Sequence, residues 1–316
     1  MSSQQPLKQR KLTMRDNVLQ KDFIEYYDNK KTVFEEHLGN ISKKGLPNVP
    51  NTLWESMTYS LMAGGKRIRP VLTMTVGEVF GLREEEVLPL ATAVEMIHTA
   101  SLIHDDMPCM DNDTLRRGKP TNHVVYGEAM ALLAGDALFL YAIEQAIRNL
   151  TAIGNLDKSN IMEAAKTLLE AAGPSGICSG QAMDMHEANN SFFSPWKIAY
   201  YKTATLIKAA VVSPAQLAGA SSDDIKALTS YASHLGVAFQ MVDDILDVIG
   251  EKNSLGKNPG KDEAQGKNTF IAVYGLEEAV KLARLHSQKS IGALSKIDKD
   301  TKYLASFAIY LESRTY

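Results

Sequence analysis

Cysteine is nearly absent from this chain. Its 316 residues include only Cys109 and Cys178, too few for a disulfide framework, so a reducing compartment is expected. An excess of one charge is missing as well. The 34 Lys and Arg stand against 37 Asp and Glu, a net charge of −3, which gives no reason to expect nucleic acid or an anionic membrane surface as a partner. The most apolar stretch, residues 129–143, is short and carries Asp136; it predicts a core helix, and no integral membrane segment is expected. The N-terminal MSSQQPLKQRKLTMRD lacks an apolar h-region, which argues against a secretory signal. Residues 1–15 are expected to form a flexible tail or the remnant of a transit peptide, so the expected compartment is the cytoplasm or, in the second case, a plastid or other organelle stroma.

What the chain does have is helical periodicity. Apolar residues recur at 3–4 spacing over residues 12–38, 53–62, 71–80, 87–104, 128–150, 161–172, 196–210, 225–249 and from 276 to the end, and no alternating strand of any length competes. Breaks rich in Gly, Pro, Asn, Ser or Lys fall at 40–50, 151–157, 188–195 and 251–267. The pattern predicts an all-α fold. Length alone would allow two domains, but the two acidic clusters described next each read as half a site, which predicts one domain over residues 16–316.

Asp243, Asp244 and Asp247 sit in FQMVDDILDVIGEKN, where Phe239, Met241, Val242, Ile245, Leu246, Val248 and Ile249 make the helix apolar on nearly every side. Such a helix should be buried. Unpartnered buried carboxylates cost several kcal/mol or more, so these predict a cleft that holds cations. Asp243 and Asp247 lie one turn apart, with Asp244 beside them. All-oxygen ligation with no His or Cys nearby suits Mg2+, which commonly binds through one or two carboxylates plus substrate phosphates. Asp105, Asp106, Asp111 and Asp113 in HDDMPCMDNDTLRRGKPT form a second cluster. On a straight helix Asp105 and Asp111 would point about 240° apart, but Pro108 between them should end or kink the helix and let Asp111 swing back.

Cations follow each cluster. Arg116, Arg117 and Lys119 come directly after the first, and Lys257, Lys261 and Lys267 after the second. Arginine forks beside metal-binding carboxylates read as a site for a metal-complexed polyphosphate. Upstream, Gly64-Gly65-Lys66-Arg67-Ile68-Arg69-Pro70 offers backbone that can approach an anion closely, without the spacing of a P-loop. Alone, Lys66, Arg67 and Arg69 would be read as surface charge. Two acidic and several basic elements imply two phosphorylated substrates, of which only one needs metal.

In this order GGKRIRP, HDDMPCMDNDTLRRGKPT, GQAMD (180–184), YKTA (201–204), FQMVDDILD and GKNPGKD closely resemble the trans-isoprenyl diphosphate synthases, or polyprenyl synthetases, from about Leu53 onward. The resemblance implies the isoprenoid synthase fold, a single-domain bundle of about ten or more helices around a deep central cavity, usually homodimeric. It implies head-to-tail condensation of isopentenyl diphosphate with an allylic diphosphate (dimethylallyl, geranyl or farnesyl) and release of pyrophosphate, which takes the final proton.

Residue by residue, the resemblance implies that Asp105, Asp111 and Asp243 hold a cluster of three Mg2+ ions on the allylic diphosphate, with Asp106, Asp244 and Asp247 as supporting carboxylates. Arg116, Lys202 and Lys257 would contact that diphosphate, with Lys267 as a further lysine. Lys66, Arg69, His98 and Arg117 would form the metal-free isopentenyl diphosphate pocket, and Thr203 and Gln240 would flank the reacting carbons. Asp184 of GQAMD is left out of the site, as equally a structural residue. Chain length would be set at Ala100 and Ser101, whose small side chains resemble synthases making geranylgeranyl diphosphate of the bacterial and plastid type. Farnesyl or geranyl diphosphate is the alternative product. A non-catalytic partner subunit of a heteromeric synthase is the non-enzyme alternative, but such subunits commonly lose one acidic cluster, and both are present here.

Overall fold

In the computed structural model, which describes residues 14–187, 193–249 and 268–313, the apolar run ahead of the first acidic cluster becomes a central helix, α4 (Glu84–Asp105). Its start is fixed by Arg83, whose backbone N–H donates to Glu86 at 2.7 Å in a capping box. Three glutamates in the first turn favour the same end through the helix dipole. Beyond that turn α4 is buried on nearly all sides, as expected of a helix apolar all round.

Around it run α1 (Met14–Lys44), α2 (Asn51–Leu61), α3 (Ile68–Val79), α5 (Asn122–Tyr126), α6 (Glu128–Ile153), α7 (Lys158–Ala172) and α8 (Ile177–Glu187). Next, α9 (Pro195–Ile198) passes through a π-helical turn, Ala199–Ala204, into α10 (Thr205–Leu217), followed by α11 (Ser222–Ile249). The last helices are α12 (Phe270–Tyr274), α13 (Leu276–Leu294) and α14 (Lys302–Ser313). The described chain is 79% helical, as the periodicity predicts. Among the described residues the strand structure is a short hairpin, Leu115–Arg116 paired with Lys119–Pro120. Arg117 (φ 54°) and Gly118 (φ 74°) are both left-handed, the requirement of a two-residue type I′ turn.

Helix α4 packs on α6, α3 and α10, and α11 packs on α13 and α10. The α4–α6–α7–α10 core is rich in alanine, including Ala91, Ala100, Ala134, Ala142, Ala164 and Ala209, which lets the helices approach closely. The layer formed by α1, α3, α11 and α14 is aromatic instead, with Phe23 edge-on to Phe307 at 5.0 Å. Two helices, α4 and α6, are long and apolar enough to cross a membrane by length and composition. Both are bundle helices, and α4 carries buried Glu95 in its middle. Of the expected tail, residues 1–13 lie outside the described residues, while Met14 and Arg15 open α1.

Candidate active site

Helix α4 ends at Asp105 because the chain turns sharply through Met107, Pro108 and Asn112, the last at φ 50°. The Asp111 N–H donates to the Asp105 carbonyl at 2.9 Å, and the Asp113 N–H to that of Asp106 at 3.1 Å. The expected return of Asp111 to Asp105 is therefore built by backbone hydrogen bonds. His104 anchors this end on α6, where a Cβ added at Gly135 would stand 2.1 Å from its Nε2; only glycine admits the imidazole there.

Asp105, Asp111 and Arg116 face Lys202, Gln240, Asp243 and Asp244 across one cleft of about 230 Å3. Both acidic clusters thus line the same cleft. Burial raises the Asp105 pKa, nearby Asp111 adds to the rise, and Lys202 opposes it. Asp106 turns away into a smaller recess shared with Arg116 and Arg117. Burial pushes its carboxyl up to about 6, although the Arg116 Nε donates to it at 2.9 Å.

The π-helical turn supplies Lys202 and Thr203. π-Turns concentrate at functional sites, and two glycines fit this one into place. A Cβ at Gly180 of α8 would lie 2.1 Å from the Lys202 backbone nitrogen, and one at Gly236 of α11 would lie 2.4 Å from the Ala204 Cα. One turn beyond Gly180, Asp184 accepts a hydrogen bond from Lys202 Nζ at 2.5 Å. Burial disfavours charge on Lys202, but Asp184 and Asp105 outweigh it and hold the ammonium pKa above its ordinary value. The Thr203 hydroxyl donates to Gln240 Oε1 at 2.6 Å, and Gln240 Nε2 donates to Asp244 Oδ1 at 2.9 Å. Asp244 Oδ2 accepts the backbone N–H of Phe270 at 3.0 Å, so the network fixes which face of the Gln240 amide meets the cleft.

The hairpin sends neighbouring arginines to opposite sides, because Arg116 ends the first strand while Arg117 begins the turn in the left-handed conformation. Arg116 meets Asp106 and Asp113. Arg117 reaches back to donate to the Gly64 carbonyl at 2.5 Å, and a Cβ at Gly65 would lie 3.0 Å from its Cζ. Beside it, Arg69 Nη1 lies 3.4 Å from His98 Nε2. Burial and then the charge of Arg69 hold the His98 pKa well below its usual value, so the ring is neutral. Lys66 is exposed on the same turn. Arg69, His98 and Arg117 thus form a basic group beside the Lys66 turn, with Glu95 Oε1 3.7 Å from Arg117 Nη2.

Arg67 corrects the reading of surface charge. It is 2% exposed, pairs with Glu95 at 2.5 Å and Glu35 at 2.7 Å, and donates to the Leu61 carbonyl at 2.8 Å. Asp184, left out on sequence grounds, lines the cleft. Glu95 was not singled out at all, though an acid inside an apolar run is the same signal that marked Asp243. Asp247 is 4% exposed and is not among the cleft-lining residues; its Oδ1 has no hydrogen-bond partner among the described residues. Ser101 is partly exposed, with its hydroxyl on the His98 carbonyl at 2.9 Å, whereas Ala100 is fully enclosed in the core. Lys257 and Lys267 lie outside the described residues.

Asp105 and Asp111 on one wall and Asp243 on the other offer carboxylate oxygens only, a donor set that fits a hard divalent cation. Among the described residues no three carboxylates, imidazoles or thiols stand together as a ready-made metal centre. This agrees with a site in which substrate phosphate oxygens complete the coordination.

Residues 50–306 match the family model described as Polyprenyl synthetase. The chain is 39% identical over 296 residues to a geranylgeranyl diphosphate synthase of Cyanophora paradoxa, covering 93% of this chain and 97% of that protein. It is 41% identical over 281 residues to a farnesyl diphosphate synthase of Bacillus subtilis, covering 87% and 93%. Among solved structures, a geranyltransferase from Legionella pneumophila superposes with a TM-score of 0.82 at 29% identity, over 94% of this chain and 99% of that one. A Helicobacter pylori geranyltransferase complexed with magnesium and isoprenyl diphosphate gives 0.77 at 30%, over 92% and 96%.

Proposed function

This chain belongs to the polyprenyl synthetase family and is a prenyltransferase, and from that premise we propose that it condenses isopentenyl diphosphate with an allylic diphosphate, using three Mg2+ ions, to build geranylgeranyl diphosphate. One observation carries the reading: both acidic clusters line a single cleft with Arg116 and Lys202, and a separate basic site, Arg69, His98 and Arg117 beside the Gly64–Lys66 turn, lies next to it. Two anionic substrates with different demands for metal call for that division. The magnesium-bound relative supports Mg2+, and a relative named geranylgeranyl diphosphate synthase supports the twenty-carbon product.

In this reading Asp105, Asp111 and Asp243 hold the metal. Bound Mg2+ supplies Lewis-acid neutralisation of the leaving pyrophosphate. Arg116 and Lys202 add fixed positive charge where negative charge develops, electrostatic stabilisation that needs no reorganisation. Asp184 keeps Lys202 protonated and aimed into the cleft. Arg69, neutral His98, Arg117 and Lys66 hold the isopentenyl diphosphate so that its double bond can attack the allylic carbon. Thr203 and Gln240, tied together and to Asp244, present oriented dipoles to that carbon. Apolar Leu102, Ile198 and Phe270 in the cleft wall exclude water, which would otherwise capture the cation as an alcohol.

A homodimer fits the exposed apolar side chains of α5 and α6, Val124, Val125, Leu132, Leu133 and Leu140, a patch that a second copy would cover. The decisive experiment supplies isopentenyl diphosphate and Mg2+ with dimethylallyl, geranyl or farnesyl diphosphate, then measures pyrophosphate and chromatographs the dephosphorylated products. Pyrophosphate release with a twenty-carbon alcohol is expected. A fifteen-carbon end product would move the enzyme to the farnesyl class, and no release with any primer would overturn the reading.

A further inference from the structure

Glu95 is 1% exposed in the middle of α4, about three turns before the metal-binding Asp105, and nothing in the proposed chemistry uses it. Its surroundings are nevertheless specific. Oε1 accepts Arg67 Nη1 at 2.5 Å, and Arg117 Nη2 stands 3.7 Å from the same oxygen. His98, one turn further along α4 on the same face, meets Arg69. One carboxylate thus lies among arginines from two elements that are distant in sequence: Arg67 at the start of α3, and Arg117 at the hairpin tip.

Each of these arginines is also committed elsewhere. Arg67 is tied to α1 through Glu35 and to the end of α2 through the Leu61 carbonyl. Arg117 clamps the Gly64–Gly65 turn. Without a central anion, guanidinium groups packed this closely repel one another, and Arg117, whose side chain is 20% exposed, is the one free to swing into solvent. The charge of Glu95 also supports the charged form of Arg69 against burial.

We propose that Glu95 is a positioning residue for the metal-free diphosphate pocket: its buried carboxylate holds Arg117 on the Gly64–Gly65 turn, beside Arg69, to receive isopentenyl diphosphate. This rests on the pocket assignment made above for Lys66, Arg69, His98 and Arg117. The sign of the effect separates it from plain charge counting, which predicts that removing an acid from a cationic pocket tightens anion binding. Positioning predicts the opposite.

The test is titration calorimetry of isopentenyl diphosphate in EDTA, with wild type, Glu95→Gln, Arg69→Ala, Arg117→Gln and the Glu95→Gln/Arg117→Gln double variant. Geranyl diphosphate with Mg2+ serves as the second ligand. Arg69→Ala should weaken isopentenyl diphosphate roughly tenfold or more, which checks the pocket itself. Glu95→Gln should also weaken it roughly tenfold, with geranyl diphosphate affinity changed less than about threefold. The double variant should bind no worse than Arg117→Gln alone, within about twofold, because a residue acting through Arg117 has nothing left to hold.

If Arg69→Ala weakens binding while Glu95→Gln leaves it unchanged or tighter, the positioning role is overturned and the pocket stands. Equal loss of both ligands, or loss additive with Arg117→Gln, assigns Glu95 to general stability and also overturns it. No effect of Arg69→Ala removes the pocket and the inference together. Should Glu95→Gln not fold, Glu95→Asp, which keeps the charge but withdraws it by one methylene, should weaken isopentenyl diphosphate selectively by roughly threefold; unchanged or tighter binding refutes the inference equally.

Discussion

Asp184 holds Lys202 at 2.5 Å, across the contact where Gly180, one turn earlier on α8, lets that helix meet the backbone of the π-turn. The GQAMD motif is thereby explained: its first residue allows the approach and its last supplies the counter-charge. Asp184→Asn should leave Lys202 paired mainly with Asp105 and so set the ammonium in competition with Mg2+. Expected are a fall in kcat of roughly tenfold or more and a higher Mg2+ half-saturation concentration. Unchanged Mg2+ dependence in steady-state assays would show that Lys202 does not need Asp184 for its placement.

Asp105→Ala and Asp243→Ala test the two walls of the cleft. Each should lower kcat by roughly 100-fold or more, on the scale of lost electrostatic stabilisation. Neither should unfold the protein. Burial already disfavours the charged form of Asp105, so its removal should leave the melting temperature of the metal-free protein equal or higher. Near-wild-type turnover in either variant, with circular dichroism confirming the fold, would sink the arrangement in which both walls hold metal.

Much of this site was legible in the sequence, because burial and charge conflict there. Carboxylates in an apolar helix announced Asp243 and Asp244, and Pro108 announced the turn that returns Asp111 to Asp105. The all-helical fold followed from periodicity, which is robust over helices as long as α6 and α11. Arg67 was hidden because it stands between Lys66 and Arg69 in one basic stretch, and nothing there shows that two acids far away in sequence, Glu35 and Glu95, will enclose it. Asp184 was hidden because its meaning depends on the π-turn, an irregularity that apolar spacing does not encode. The hairpin at 115–120 escaped since two-residue strands carry no alternation.

A pH dependence of stability comes from the α11–α13 contact. His286 is 9% exposed, with Nδ1 3.3 Å from His234 Nδ1 and its ring 5.1 Å from that of Trp196. Burial, reinforced by His234, depresses its pKa to about 4. The unfolded chain takes up a proton near pH 6.5 while the folded protein resists until about 4, so stability is fully present above 6.5 and falls as pH drops through that window. A shift of this size corresponds to at most about 3 kcal/mol. Denaturant titrations at pH 7.5 and 5 should show a smaller difference for His286→Phe than for wild type. An equal difference would place the sensitivity elsewhere.

Chain length offers the sharpest contrast between neighbouring residues. Ser101 precedes Asp105 by one helical turn and shares its face, about 40° away, whereas Ala100 lies about 140° from it and is wholly enclosed in the core. A turn rises about 5.4 Å, comparable to one five-carbon unit laid along the helix, so Ser101→Phe should block a growing tail close to the reacting end. Products should shorten to fifteen or ten carbons, with Mg2+ dependence and the first condensation largely retained. Ala100→Tyr should shorten products too if the tail runs between α4 and its core neighbours, but there the ring must displace packed side chains, an overpacking cost of about 1–3 kcal/mol visible as a lower melting temperature. Chromatography of dephosphorylated products beside thermal melts separates the two. A twenty-carbon product from both variants would mean that the tail does not pass this turn of α4, and the length-setting residues must then be sought on another helix.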